Sequence, residues 1–73
     1  LSGVVVRNMP GEPLLISMPR AGTASLFGAD GRFIRSYNLR AGDQAIALGD
    51  LAAGICVLRV VVGPHTRVWR VMP

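Results

Sequence analysis

Apolar and polar residues alternate along most of this chain with a period of two, in short runs. That period marks β-strands with one buried face, because successive side chains of an extended backbone point to opposite sides. In "EPLLISM" the residues Leu14, Ile16 and Met18 fall on one side, and in "DQAIAL" Ile46 and Leu48 do. In "ICVLRVVV" Cys56, Leu58, Val60 and Val62 share a face while Arg59 lies on the other. These apolar faces are expected to point inward. Seven strands are predicted, near residues 3–7, 13–18, 23–28, 32–39, 43–48, 55–62 and 66–72.

Turn residues separate the runs: "NMPGEP" at 8–13, "MPRAG" at 18–22, "GADG" at 28–31, "LRAGD" at 39–43, "GDLAAG" at 49–54 and "VGPH" at 62–65. Short strands at this spacing are the pattern of an antiparallel sandwich or barrel. Asp30-Gly31 predicts a hairpin, since glycine reaches positive φ without steric cost, and Ala24, Leu26, Ile34 and Phe33 are expected to pack across it. Only "GDQAIALGDLAAG" offers a short helix, and its glycines and length favour a strand followed by a tight turn. No repeat, low-complexity tract or linker divides residues 1–73, which read as one module.

Composition agrees with a small folded domain. A chain of 73 residues buries only about 60% of its unfolded surface, so its stability rests on a single core. Half of the residues are apolar and 16% are charged, unlike a disordered tail. All eight basic residues are arginine, against four acidic ones, for a net charge of +4. Such a surplus favours polyanions: nucleic acid, acidic polysaccharide or the phosphates of a bacterial surface. The arginines are spread singly, as on a solvated strand face, and no nucleic-acid partner is expected. No apolar run reaches the roughly 20 residues of a membrane helix. A start without methionine suggests a piece of a longer precursor.

Candidate chemistry is sparse. Cys56 and His65 are the only Cys/His pair, with Cys56 mid-strand and His65 after a Gly-Pro turn, so burial of the thiol is the expected role and a nucleophile pair is not. Zinc-type ligand spacing is missing. Glu12, Asp30, Asp43 and Asp50 all fall in turns. "GADG" and "AGDQ" lack both the lysine and the helix of a phosphate loop. No catalytic residue, metal or cofactor is therefore expected. Trp69, beside Arg67 and Arg70, is a candidate ligand contact for a polysaccharide or anionic surface, with packing at the core or edge as the alternative role.

Residues 25–71, "SLFGADGRFIRSYNLRAGDQAIALGDLAAGICVLRVVVGPHTRVWRV", resemble the C-terminal sorting domains of type IX secretion in Bacteroidetes and related phyla. Asp30, Gly31 and Arg32 look like that family's hairpin, and Leu39 with Gly42 like the strand end and turn. Ile46 and Leu48 resemble its short strand, Leu51 and Gly54 its L-x-x-G element, and Val57 to Val60 its V-x-R-V continuation. Gly63 resembles the last hairpin turn, with Arg67 and Arg70 where the family carries basic residues. Residues 3–24, with "LLISMPRAGTASL", fit the opening strand pair. Two features depart from the pattern: Cys56 replaces a bulkier residue, and the last strand has arginine with no lysine.

The resemblance implies an all-β, immunoglobulin/fibronectin III-like antiparallel sandwich of about seven strands, at the C-terminus of a secreted enzyme or adhesin. It implies a noncatalytic address that an outer-membrane translocon recognises and a sortase-like protease often removes. Such a protein is secreted or displayed on the cell surface by way of the periplasm of a Gram-negative bacterium. The residues it marks for recognition are Gly31, Arg32, Leu51, Gly54, Arg59, Gly63, Arg67 and Arg70. Two other readings are open: an accessory module binding polysaccharide or an anionic surface, and a structural sandwich packed on an upstream cargo domain. Apolar edges would also allow an edge-strand homodimer.

Overall fold

Strands form where the alternation predicts them. The computed structural model, which describes residues 3–9, 11–48 and 55–72, has β1 (Val5–Arg7), β2 (Leu14–Met18), β3 (Gly22–Gly28), β4 (Phe33–Leu39), β5 (Gly42–Ile46), β6 (Cys56–Val62) and β7 (His65–Val71). Every boundary falls within two residues of its expected place. The strands build two antiparallel sheets, β1-β2-β5 and β4-β3-β6-β7. The molecule is a small immunoglobulin/fibronectin III-like β-sandwich.

Both sheets turn their apolar faces to each other, as sheet packing requires. Leu14, Ile16 and Met18 of β2 meet Ala24 and Leu26 of β3 and Leu58, Val60 and Val62 of β6, all buried. Ile46 and Leu48 are buried as expected. So is Cys56, which stands between Gly28 and Val71 in the register of the larger sheet. The thiol is core material. Leu51 and Gly54, of the L-x-x-G element, lie outside the described residues.

One expectation fails at the β3–β4 hairpin. Ala24 and Leu26 are fully buried, but Phe33 is 55% exposed and Ile34 lies at the solvent surface. Leu26 pairs with Arg35 and Phe27 with Phe33, so Ile34 is an extra residue in a β-bulge. Inward-side positions on β4 are therefore Leu39, Tyr37 and Arg35, the last of them exposed beyond the core, and the bulge turns Phe33 to the outer face beside Phe27.

Two hairpin turns bracket the larger sheet. At one end Gly28 N–H donates to the Arg32 carbonyl at 2.8 Å and Gly31 N–H to the Gly28 carbonyl at 2.9 Å. Gly31 has φ 88°, the geometry of a three-residue loop closed by a left-handed glycine. Asp30 accepts the Arg32 N–H at 3.0 Å and stiffens the loop. At the other end Val62 pairs with His65 across Gly63-Pro64. Gly63 has φ 56°, and proline holds φ near −65°, a combination that selects a type II′ turn.

Side-chain carboxamides tie the sandwich where strands do not. Asn8 Nδ2 donates to the Met72 carbonyl at 2.8 Å, and the Met72 N–H donates to Asn8 Oδ1 at 2.7 Å. The end of β1 is thereby joined to the end of β7, across the two sheets. Gln44 does the same for the β4–β5 corner: it donates to the Arg40 carbonyl at 2.6 Å and accepts the Arg40 N–H at 3.1 Å.

Candidate interaction site

The register of the four-stranded sheet assembles its outer face row by row. Phe33, Phe27, Val57 and Arg70 form one row, and Ser36, Ser25, Arg59 and Val68 the next. Asn38, Thr23, Val61 and Thr66 complete the face. Phe27 and Phe33 meet edge to face at 5.8 Å and 73°. The Arg59 guanidinium lies over the Phe27 ring at 5.2 Å, a cation–π contact that holds a flexible side chain flat on the sheet. Val68 is 57% exposed. The two arginines are diagonal neighbours, about 7–8 Å apart at the backbone, and no carboxylate stands on this face. Five apolar side chains, five uncharged polar ones and two arginines make up these three rows.

Arg67 and Trp69 occupy the opposite side of β7, facing the smaller sheet. That sheet is too narrow to cover them, so Trp69 is half-buried, packed against the core, and Arg67 is exposed at the rim. Arg67 lies over the Trp69 ring at 5.1 Å. On the far side of the sandwich, the outer face of the smaller sheet holds an open groove of about 510 Å³ lined by Val5, Arg7, Leu15, Ser17, Asp43 and Gln44.

Among the described residues marked from sequence, the fold brings Arg59 and Arg70 together on one face. Gly31 and Arg32 lie in the β3–β4 turn, and Gly63 in the β6–β7 turn at the opposite end of the sheet, roughly 20 Å away at 3.3 Å per strand residue. Arg67 and Trp69 face away from Arg59 and Arg70. Leu51 and Gly54 are outside the described residues. Cys56 and His65 sit at opposite ends of the β6–β7 ladder, so no nucleophile pair forms. Among the described residues no group of three or more His, Cys, Asp or Glu side chains could hold a metal ion.

Sequence reasoning missed Phe33 as a surface residue, because its exposure depends on the bulge; Phe27 is half-buried on the outer face, as alternation with Ala24 and Leu26 requires. It also missed Arg20, whose guanidinium lies against Gly63, in the space where a side chain at that turn would begin. The paired Asp-Gly-Arg turn and the single arginine in "CVLRVVV" are the signals that locate this sheet. No family model, curated protein or solved structure matches the chain.

Proposed function

We propose that the chain is a noncatalytic sorting domain that directs a secreted enzyme or adhesin through the outer membrane of a Gram-negative bacterium to the cell surface. What carries this reading is the agreement between motif order and strand order. The Asp30-Gly31-Arg32 hairpin joins β3 to β4, Ile46 ends β5, Val57 to Val60 lie in β6, and Gly63 opens the turn into β7. An address of this kind must fold by itself and present a surface to be read. The outer face with Arg59, Arg70, Phe27 and Phe33 is suited to that, and its partner in this reading is the translocon, with a sortase-like protease acting on the junction to the cargo.

A glycan-binding module would need Trp69 as a stacking platform. Arg67 already lies over that ring and the core packs against it, so sorting is the better reading. The test fuses residues 1–73 to a reporter bearing a signal peptide in a host with type IX secretion. Export of the reporter to the surface is expected; its retention in the periplasm rejects the proposal.

A further inference from the structure

Each sheet leaves two edges, and three of the four are blunted. β1 has three residues, β5 has five, and β4 is interrupted by the Ile34 bulge. β7 is different: seven residues, in unbroken register with β6 from His65 to Val71, with no proline and no bulge. Such an edge is a template for another strand.

Its hydrogen-bonding groups can be assigned. A two-residue hairpin starts with a closed pair, here Val62 and His65, and closed and open pairs then alternate. The peptide groups of Arg67, Trp69 and Val71 therefore face β6, while those of Thr66, Val68, Arg70 and Met72 face outward. The Asn8 clamp agrees with this parity, since it engages both outward groups of Met72. Asn8 makes with Met72 the reciprocal pair of bonds that the peptide of an added strand would make, and the line of unused groups continues from there through Arg70, Val68 and Thr66.

The side chains along this line select the occupant. β7 carries Arg67 on one side and Arg70 on the other, with Val68 and Trp69 between them and no acidic residue. A second copy paired here would bring four arginines to one seam. We propose that the β7 edge accepts a strand from a partner protein whose residues opposite Arg67 and Arg70 are carboxylates and whose two residues between are apolar. Main-chain bonds supply the affinity, and the acidic pair three residues apart supplies the choice. This proposal stands on the edge geometry and does not depend on the sorting reading.

The test titrates the isotope-labelled chain with an acetylated, amidated peptide of valine and threonine bearing two glutamates three residues apart. Slowed amide exchange at Thr66, Val68 and Arg70 is expected, with binding roughly tenfold tighter than that of the same peptide bearing lysines, since two exposed ion pairs replace two repulsions. Val68→Pro removes an outward N–H and leaves the β6 ladder intact, and it should abolish binding while the β6 amides stay protected. Arg67→Glu with Arg70→Glu should reverse the preference between the two peptides, a readout available even if Val68→Pro fails to fold. The proposal is overturned by no binding, by equal binding of the lysine peptide or of polyglutamate, or by changes centred on Phe33 and Arg59 instead. Protection of the three amides that rises with protein concentration alone would assign the edge to a second copy and overturn it too.

Discussion

At the scale of single residues, two carboxamides stand in for peptide groups. Asn8 and Gln44 each donate to and accept from one backbone residue, Met72 and Arg40. A carboxamide carries an N–H donor and a C=O acceptor side by side, so it can meet the carbonyl and the N–H of one residue at once. Asn8→Asp keeps the shape but sets an oxygen against the Met72 carbonyl, and it should lower stability by about 1 kcal/mol in a urea titration. Neither role was legible in the sequence: asparagine beside Met-Pro-Gly reads as a turn residue, and its partner stands 64 positions away. Cys56 was legible, because alternation with Leu58, Val60 and Val62 fixes its side. Buried as it is, the thiol should react with an aromatic disulfide reagent only as fast as the β6 end opens; labelling of native protein at the unfolded rate would contradict this.

Among the elements, the positions of strands could be read and their register could not. Period two places a side chain on one face or the other, but one extra residue inverts that assignment. Ile34 is that residue, and it is why Phe33 was expected inside and lies outside. Pairing of β3 with β6 was equally invisible, since nothing local marks two strands 28 residues apart as neighbours. Glycines separate two kinds of constraint. Gly31 needs positive φ but has nothing within 4 Å of an added Cβ, whereas a Cβ at Gly22 would run into the Val61 carbonyl oxygen. Gly31→Ala should therefore cost about 1 kcal/mol of backbone strain, and Gly22→Ala more, about 2–3 kcal/mol, because main chain cannot step aside as a side chain does. Thermal unfolding of the two variants in parallel checks the ranking, and the reverse order would refute it.

For the whole molecule, 73 residues imply a total stability of about 4–11 kcal/mol. Leu26, fully buried where the two sheets meet, is expected to lose about 3 kcal/mol on truncation to alanine, a large share of that total, visible as a steep fall in melting temperature. The outer face of the larger sheet behaves oppositely. Arg59→Glu with Arg70→Glu should leave melting nearly unchanged and block export of the reporter fusion; unimpaired export would remove this face from the sorting reading. Alternation and turn spacing made the fold class and the outward side of Arg59 readable from sequence, while the face as a whole became readable only once the register joined β3, β4, β6 and β7. The Asn8–Met72 clamp adds a kinetic consequence. Closing a loop of 64 residues costs about 4 kcal/mol of chain entropy, more than two exposed hydrogen bonds return. The clamp therefore forms after the sandwich has collapsed, absent from the folding transition state. Asn8→Asp should speed unfolding and leave the folding rate alone, so that the contact joining the first strand to the last acts as a latch on a finished domain and sets how long it stays shut.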